Sequence, residues 1–226
     1  MQAVILAAGE GTRLMPLTKN KPKPLVEANS KTLIDYVFDS LPEAIDEVIV
    51  VIGYLGSMIK DYLGNEYRGR KIKYVEQKEP KGTGHALKEC RELLRGKFLV
   101  LNSDDIHKKE NLEKACWKDN CILVKKVSGN FSGGKVKLDK NGKLVSIIEG
   151  EHKEKEALLN CGVYVLEEKF FNYELVSIKG GKEYGLPQTI VKMSEEIPVE
   201  VALTDSFLGV NSLEDLERLK RKRRGL

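Results

Sequence analysis

Three stretches of this 226-residue chain carry residue types suited to handling phosphate. The first is Gly9-Glu10-Gly11-Thr12-Arg13, followed by Lys21-Pro22-Lys23-Pro24. Two glycines behind an apolar run let backbone N–H groups approach an anion closely. Arg13 suits bidentate contact with phosphate, and Lys23 supplies a mobile point charge. Residues 1–31 hold five basic side chains against two acidic ones, so the stretch is locally positive. It is not a Walker A loop, which needs Gly-Lys-Ser/Thr, and the third glycine of the dinucleotide fingerprint is missing. The second stretch is Gln77-Lys78-Glu79-Pro80-Lys81-Gly82-Thr83-Gly84-His85. The Gln77 amide offers a donor and an acceptor, which suits a pyrimidine edge. Gly82 would let the backbone close on the base, and Thr83 reads as the N-cap of a helix. His85 is expected to pack or cap there. The third stretch is Asn102-Ser103-Asp104-Asp105. A carboxylate at a strand end is a common way to hold Mg²⁺ against phosphates. Asp104 and Asp105 are the candidates.

The elements that must position these residues alternate. Strands are predicted at 2–7, 47–52, 72–76 and 97–101, with helices at 32–41, 57–63 and 83–94. The run Glu47-Val48-Ile49-Val50-Val51-Ile52 has the β-branched character of a central parallel strand. The second half predicts strands at 121–127, 160–166 and 199–203. It also predicts a hairpin pairing 135–139 with 143–148 about Asn141-Gly142. A last helix starts at Ser212, with Asp215 three residues on, close to a capping box. Such a βαβαβα first half implies an α/β fold with a parallel sheet and helices on both faces. Ligands then bind beyond the carboxyl ends of the strands. All three stretches lie there, after Ala7, Glu76 and Leu101.

Composition removes other classes. Hydrophobic residues make up 41% and charged residues 32%, enough for a core and unlike a disordered chain. No apolar run approaches the ~20 residues of a membrane span. The N-terminus lacks a basic n-region, so no signal peptide is expected. Cys90, Cys116, Cys121 and Cys161 form no C-x-x-C pair, and His85, His107 and His152 are scattered. A soluble cytoplasmic protein with reduced thiols and no zinc is expected. The net charge is +4, but six basic residues fall between Arg218 and Arg224, leaving the body near neutral. That tail reads as the positive end of a helix rather than a nucleic-acid surface.

The run LAAGEGTRLMPLTKNKPKPL resembles the signature of the sugar-1-phosphate nucleotidyltransferases, the nucleoside-diphosphate-sugar pyrophosphorylases. Later motifs follow in order over nearly the whole chain. The resemblance implies a Rossmann-like three-layer α/β/α fold with a mostly parallel central sheet. It implies one domain, 1–226, with a nucleotide-binding half (1–105) and a sugar-phosphate half ending in the C-terminal helix (106–226). Leu6, Ala7, Ala8, Gly9, Gly11 and Thr12 would wrap the triphosphate of UTP or dTTP. Arg13 would sit on the phosphates, and Lys23 would bridge the reacting ones. Gln77 and the Gly82 backbone would read uracil or thymine, and Thr83 would lie near the sugar phosphate. Asp104 would hold Mg²⁺, although Ser103 stands where the family commonly has glycine. Gly209-Val210-Asn211 is similar to the uridylyltransferase domain of the bacterial bifunctional N-acetylglucosamine-1-phosphate enzyme, making Asn211 the second metal ligand. Gly134, Glu149 and Asn160 would hold the acceptor sugar. Glu149-Gly150 departs from the Glu-Lys of the glucose-1-phosphate branch.

The expected reaction is in-line attack of a sugar-1-phosphate, N-acetylglucosamine- or glucose-1-phosphate, on the α-phosphate of UTP or dTTP. Nucleic acid and membrane are not expected as partners, and the oligomeric state is open. With the chain stopping at Leu226, no acetyl transfer is expected. A phosphocholine-type cytidylyltransferase of the same fold and a non-catalytic nucleotide-sugar-binding homologue remain as alternatives. A nicotinamide oxidoreductase is disfavoured by the missing glycine and by Pro22-Lys23-Pro24.

Overall fold

The computed structural model describes residues 1–222. Its centre is an eight-stranded sheet. In chain order the strands are β1 (Gln2–Ala7), β2 (Glu47–Ile52), β3 (Glu66–Tyr67), β4 (Arg70–Glu76), β5 (Lys97–Asn102), β6 (Cys121–Leu138), β7 (Leu144–Glu167) and β8 (Glu200–Thr204). Across the sheet they run β8-β6-β7-β5-β1-β2-β4-β3. β1 pairs in parallel with both β2 and β5, and β2 in parallel with β4. β7 enters antiparallel between β5 and β6, and β8 runs parallel to β6. Strands from both sides of residue 105 join this sheet, so both halves of the sequence contribute to the buried clusters on its two faces.

Alternation along β1 decides the layers. Ala3, Ile5 and Ala7 enter one buried cluster, while Val4 and Leu6 enter the cluster on the opposite face. The first face is covered by α1 (Leu33–Ser40), α2 (Gly56–Leu63) and α4 (Lys109–Cys116). The second is covered by α3 (Gly82–Lys88) and α5 (Leu186–Ser194). Ile34, Val37 and Phe38 of α1 are at most 1% exposed. Burial of each such side chain is worth about 1.5–3 kcal/mol. Thr32 and Asp35 close a capping box at the start of α1, fixing where the helix begins. The mostly parallel three-layer α/β/α architecture matches the expectation. The four cysteines are free thiols. Among the described residues no helix is long and apolar enough to cross a membrane.

Three details differ from the sequence reading. The helix expected over 83–94 ends at Lys88 and gives way to a tight turn at Arg91–Leu93. Cys90 and Leu94 stay fully buried in that turn, so their spacing mimics a continuing helix. Two helices, α4 and α5, go beyond the spacing expectation. α4 buries little besides Leu112 and Ala115, whereas α5 carries Pro in its first turn with Leu186, Ile190 and Met193 along one face. The strand expected at 121–127 and the 135–148 hairpin are parts of one long β6–β7 ribbon. Its tip has the expected turn: the Gly142 N–H donates to Asp139 O, and Gly142 has φ +79°. The ribbon curls on itself, because Leu158 and Leu159 pair with Lys126 and Lys125 on one side and Val136 and Lys135 on the other.

The last helix, α6 (Leu213–Lys222), docks away from the sheet. Val210, Leu216 and Leu219 pack on Val26, Ala28, Leu33 and Tyr36. The Ser212 hydroxyl accepts from Asp215 N–H, and Asp215 accepts from Ser212 N–H, completing the cap anticipated there. Of the basic tail, Arg218 pairs with Glu214 and Asp215, and Lys220 with Glu217. Arg223 and Arg224 lie outside the described residues.

Candidate active site at the sheet's carboxyl edge

β1 connects outward to β2 and β4, and the chain then returns to β5 on the other side of β1. The crevice at this reversal is where such sheets bind ligands. The loop after β1 borders it. Gly11 has φ +66°, and a Cβ there would come within 2.8 Å of the Lys23 Cβ. Only glycine combines that backbone with room for Lys23. Thr18 Oγ1 donates to Gly11 O at 2.9 Å and fastens the loop. On the β5 side, Ser103 N–H donates to Leu6 O at 3.2 Å. Ser103 is buried and not among the residues with positive φ, so serine fits without strain.

Four predicted residues converge here from across the chain. Lys23 Nζ donates to Asp104 Oδ2. Lys23 Nζ also lies 3.3 Å from Asn211 Oδ1, and Arg13 Nη2 donates to the same oxygen at 2.9 Å. Asn211 arrives because the Ser212–Asp215 cap fixes the start of α6 and the Val210 cluster docks that helix on residues 26–36. Asp105 lies beneath. It is 5% exposed and accepts from Asn102 Nδ2 at 2.8 Å. Burial, and then the Asp104 charge, raise its pKa well above the carboxylate range. Asp105 therefore belongs to the floor of the site, and Asp104 faces the cavity.

The oxygens of Asp104 and Asn211 both face the Lys23 ammonium, so this spot already favours a cation. Among the described residues no group of three or more His, Cys, Asp or Glu stands ready to hold a metal. One carboxylate and one amide oxygen instead fit Mg²⁺, which keeps several waters and relies on substrate phosphates. Asp104 and Asn211 would hold it.

Two cavities meet at this cluster. The smaller, about 550 Å³, is lined by Leu6, Ala8, Gly9, Thr12, Gln77 and Gly82 among others. Ala7 is 2% exposed and its side chain packs in the sheet core, because strand alternation turns that side chain away from the cavity. Gln77 is 8% exposed, and its Nε2 donates to Gly82 O at 3.0 Å and meets His85 Nδ1 at 3.1 Å. A carbonyl can only accept, so the nitrogen must face Gly82, leaving Oε1 as an acceptor. Gly82 has φ +87°, and a Cβ would lie 2.5 Å from Tyr184 O. Thr83 does not cap its own helix, whose N-cap is Lys81. Its hydroxyl accepts from Leu186 N–H at 3.1 Å and ties α3 to the start of α5. His85 packs against Gln77 and pairs with Glu89, as anticipated.

The larger cavity, about 1120 Å³, is lined by Thr83, Gly134, Glu149, Asn160 and Tyr164 among others. A Cβ on Gly134 would lie 2.8 Å from Glu149 Oε1 and 3.2 Å from Asn160 Cβ, so these three residues form one cradle. Asn160 Nδ2 donates to the buried Tyr164 hydroxyl at 2.8 Å, which orients the amide. Partial burial raises the Glu149 pKa, and His152 opposes the shift. Arg13, Thr83, Asp104 and Asn211 line both cavities. Tyr164, Lys125 and Arg218 line the larger one and were not assigned to the site from the sequence, where Arg218 was read only as part of the basic tail. For Lys125 a signal existed: a lysine closing the apolar run Cys121-Ile122-Leu123-Val124.

A family model described as nucleotidyl transferase matches residues 2–202. The D-glycero-alpha-D-manno-heptose 1-phosphate guanylyltransferase of Campylobacter jejuni is 33% identical over 222 residues, covering 95% of this chain and 96% of that protein. The bifunctional protein GlmU of Methanococcus maripaludis is 31% identical over 173 residues, covering 76% of this chain. The match spans 41% of that GlmU's length. The crystal structure of a putative glucose-1-phosphate thymidylyltransferase from Bacillus anthracis superposes with a TM-score of 0.84 over 100% of this chain and 96% of that one. At 19% identity that likeness concerns the fold alone.

Proposed function

The chain belongs to the nucleotidyl transferase family, and on that premise we propose that it joins a sugar-1-phosphate to a nucleoside triphosphate, releasing pyrophosphate. The observation that carries this reading is the meeting of two cavities at the cluster of Arg13, Lys23, Asp104 and Asn211. A triphosphate in the smaller cavity and a sugar phosphate in the larger would bring their reacting phosphates to that junction. An acceptor phosphate oxygen attacks the α-phosphorus in line. A new P–O bond forms, the bond to the β-phosphate's bridging oxygen breaks, and pyrophosphate leaves with that electron pair. No covalent enzyme intermediate is required. The work of the protein is positioning and charge neutralisation. Arg13 and Lys23 neutralise charge developing toward pyrophosphate. Asp104 and Asn211 would hold Mg²⁺, which supplies charge stabilisation at the reacting phosphates when bound. Glu149 and Asn160 take hydroxyl groups of the sugar.

For the base, the reading is UTP or dTTP. The free acceptor on Gln77 suits the N3–H of uracil or thymine. N-acetylglucosamine-1-phosphate and glucose-1-phosphate are the favoured acceptors on the Gly134, Glu149 and Asn160 cradle. A guanylyl reading stands second, because the same oxygen would accept from guanine N1–H and the relative aligned end to end is named a guanylyltransferase. Pyrophosphate release over a grid of UTP, dTTP, GTP, CTP and ATP against sugar-1-phosphates tests these readings. Release with UTP or dTTP is the expected result. No release with any pair would refute the transferase reading.

A further inference from the structure

The larger cavity holds an unmatched charge. Its cationic lining residues are Arg13, Lys125 and Arg218. Arg13 donates to Asn211, and Arg218 pairs with Glu214 and Asp215. Lys125 is partly buried, and its side chain makes no hydrogen bond or ion pair among the described residues. An ammonium that lines a cavity without pairing to any of its carboxylates is available to take an anion from the ligand.

Register brings Lys125 to the reacting end. Tyr164 of β7 pairs with Val100 on one side and Ile122 on the other. Lys125 lies three residues beyond Ile122 and pairs with Leu159 past a register shift in β7, which puts it near the Ser103-Asp104 segment that follows β5. Two strand spacings separate them, roughly 10 Å, a gap that a lysine stem and a phosphate together span. Lys125 pairs with Leu159 of β7, three residues before Gly162, where a Cβ would lie 2.2 Å from Asp105 Oδ2, so Lys125 lies near the floor of the site. The same cavity is rich in carboxylates, Asp104, Asp105 and Glu149 among them. An incoming phosphate monoester needs a cation there; Lys23 lines only the smaller cavity, Arg13 already donates to Asn211 and Arg218 is ion-paired, which leaves Lys125.

We propose that Lys125 is the acceptor-side phosphate anchor, donating to a non-reacting oxygen of the sugar-1-phosphate. The inference rests on the transferase reading above. It specifies a monoester dianion as the group recognised beside Asp104, with the sugar ring extending toward Gly134.

The test is steady-state kinetics of Lys125→Ala, Lys125→Arg and the control Lys126→Ala. Lys126 is exposed and pairs with Glu156, away from the cavity. Loss of a charge-assisted hydrogen bond predicts a KM for the sugar-1-phosphate raised about 10- to 100-fold in Lys125→Ala. The KM for the nucleotide should stay within about threefold, as should all constants of Lys126→Ala. Lys125→Arg should recover most of the loss and also guards against a folding defect. Calorimetry supplies a second readout: wild type should bind sugar-1-phosphate more tightly than the free sugar, and Lys125→Ala should lose that preference. An unchanged acceptor KM in an active Lys125→Ala enzyme would overturn this inference alone. Wild-type enzyme that releases no pyrophosphate with any substrate pair would overturn the transferase reading and this inference with it.

Discussion

Gly134→Ala offers a steric test of the acceptor cradle. Gly134 does not have a positive φ, so alanine meets no backbone strain there. Its new methyl group would sit 2.8 Å from Glu149 Oε1, 2.8 Å from Ile147 Cγ2 and 3.2 Å from Asn160 Cβ. The carboxylate end can swing away, but Ile147 is 6% exposed and β-branched, so it yields little. Overpacking of this kind costs about 1–3 kcal/mol. The cradle relieves the clash by moving Glu149 out of its position toward the sugar. If the cost falls on acceptor binding, the KM for the sugar-1-phosphate rises roughly 5- to 150-fold, at about 1.4 kcal/mol per factor of ten. Nucleotide affinity should not move, because Gly134 lines only the larger cavity. The assay is pyrophosphate release with one substrate saturating and the other varied, alongside a thermal melt. The neighbouring Gly133→Ala provides contrast. Gly133 has φ +129°, so alanine there should lower the melting temperature as well. An acceptor KM within twofold of wild type in Gly134→Ala would refute the assignment of this cradle to the sugar. An equal rise in both KM values would refute the division of labour between the cavities.

Other perturbations separate the remaining roles. Lys23→Ala and Asp104→Ala should each lower kcat by orders of magnitude with intact folding by circular dichroism; near wild-type turnover in either would sink its assignment. Asp104→Ala should also raise the Mg²⁺ concentration needed for half-maximal rate, measured by titration from chelated enzyme. Gln77→Leu removes the free acceptor and strands Gly82 O, so discrimination between UTP and CTP should fall at least about tenfold in kcat/KM. His107 supplies a pH test of stability. Its ring nitrogens are buried without partners, and burial lowers its pKa from 6.5 to about 4. The folded state then resists protonation that the unfolded chain accepts. Stability is whole above pH 6.5 and is lost as pH falls toward 4, by a total on the order of 3 kcal/mol. His107→Phe should flatten denaturant-midpoint curves over that window; an unchanged slope would show that His107 is not the titrating group.

Local signals account for much of the site. The strands 2–7, 47–52 and 97–101 are runs of β-branched and aliphatic residues bounded by glycine or asparagine, and they fold as read, with β5 one residue longer. Arg13, Lys23 and Asp104 follow strand ends or glycine turns, so their types and neighbours betray them. A motif string does not show which face of a strand each residue takes, so it left open that the Ala7 side chain packs into the core. Thr83 was misread as a cap because its partner, Leu186 N–H, lies 103 residues away. α4 escaped because so little of it is apolar.

The sequence by itself determined the layered α/β class, the phosphate-handling loop and the residue types at the strand ends, since these depend on contacts within a few residues. Tertiary structure alone decided that Asn211 shares its oxygen between Arg13 and Lys23. It also decided that Gly134, Glu149 and Asn160 close into one cradle, and that the Lys125 side chain lines the larger cavity without a hydrogen-bonding or ionic partner among the described residues. Each of these depends on β7 inserting antiparallel beside β5, on the curl of the β6–β7 ribbon and on α6 docking against residues 26–36. Such long-range pairings follow from burial summed over the whole chain, and no short stretch of residues encodes them.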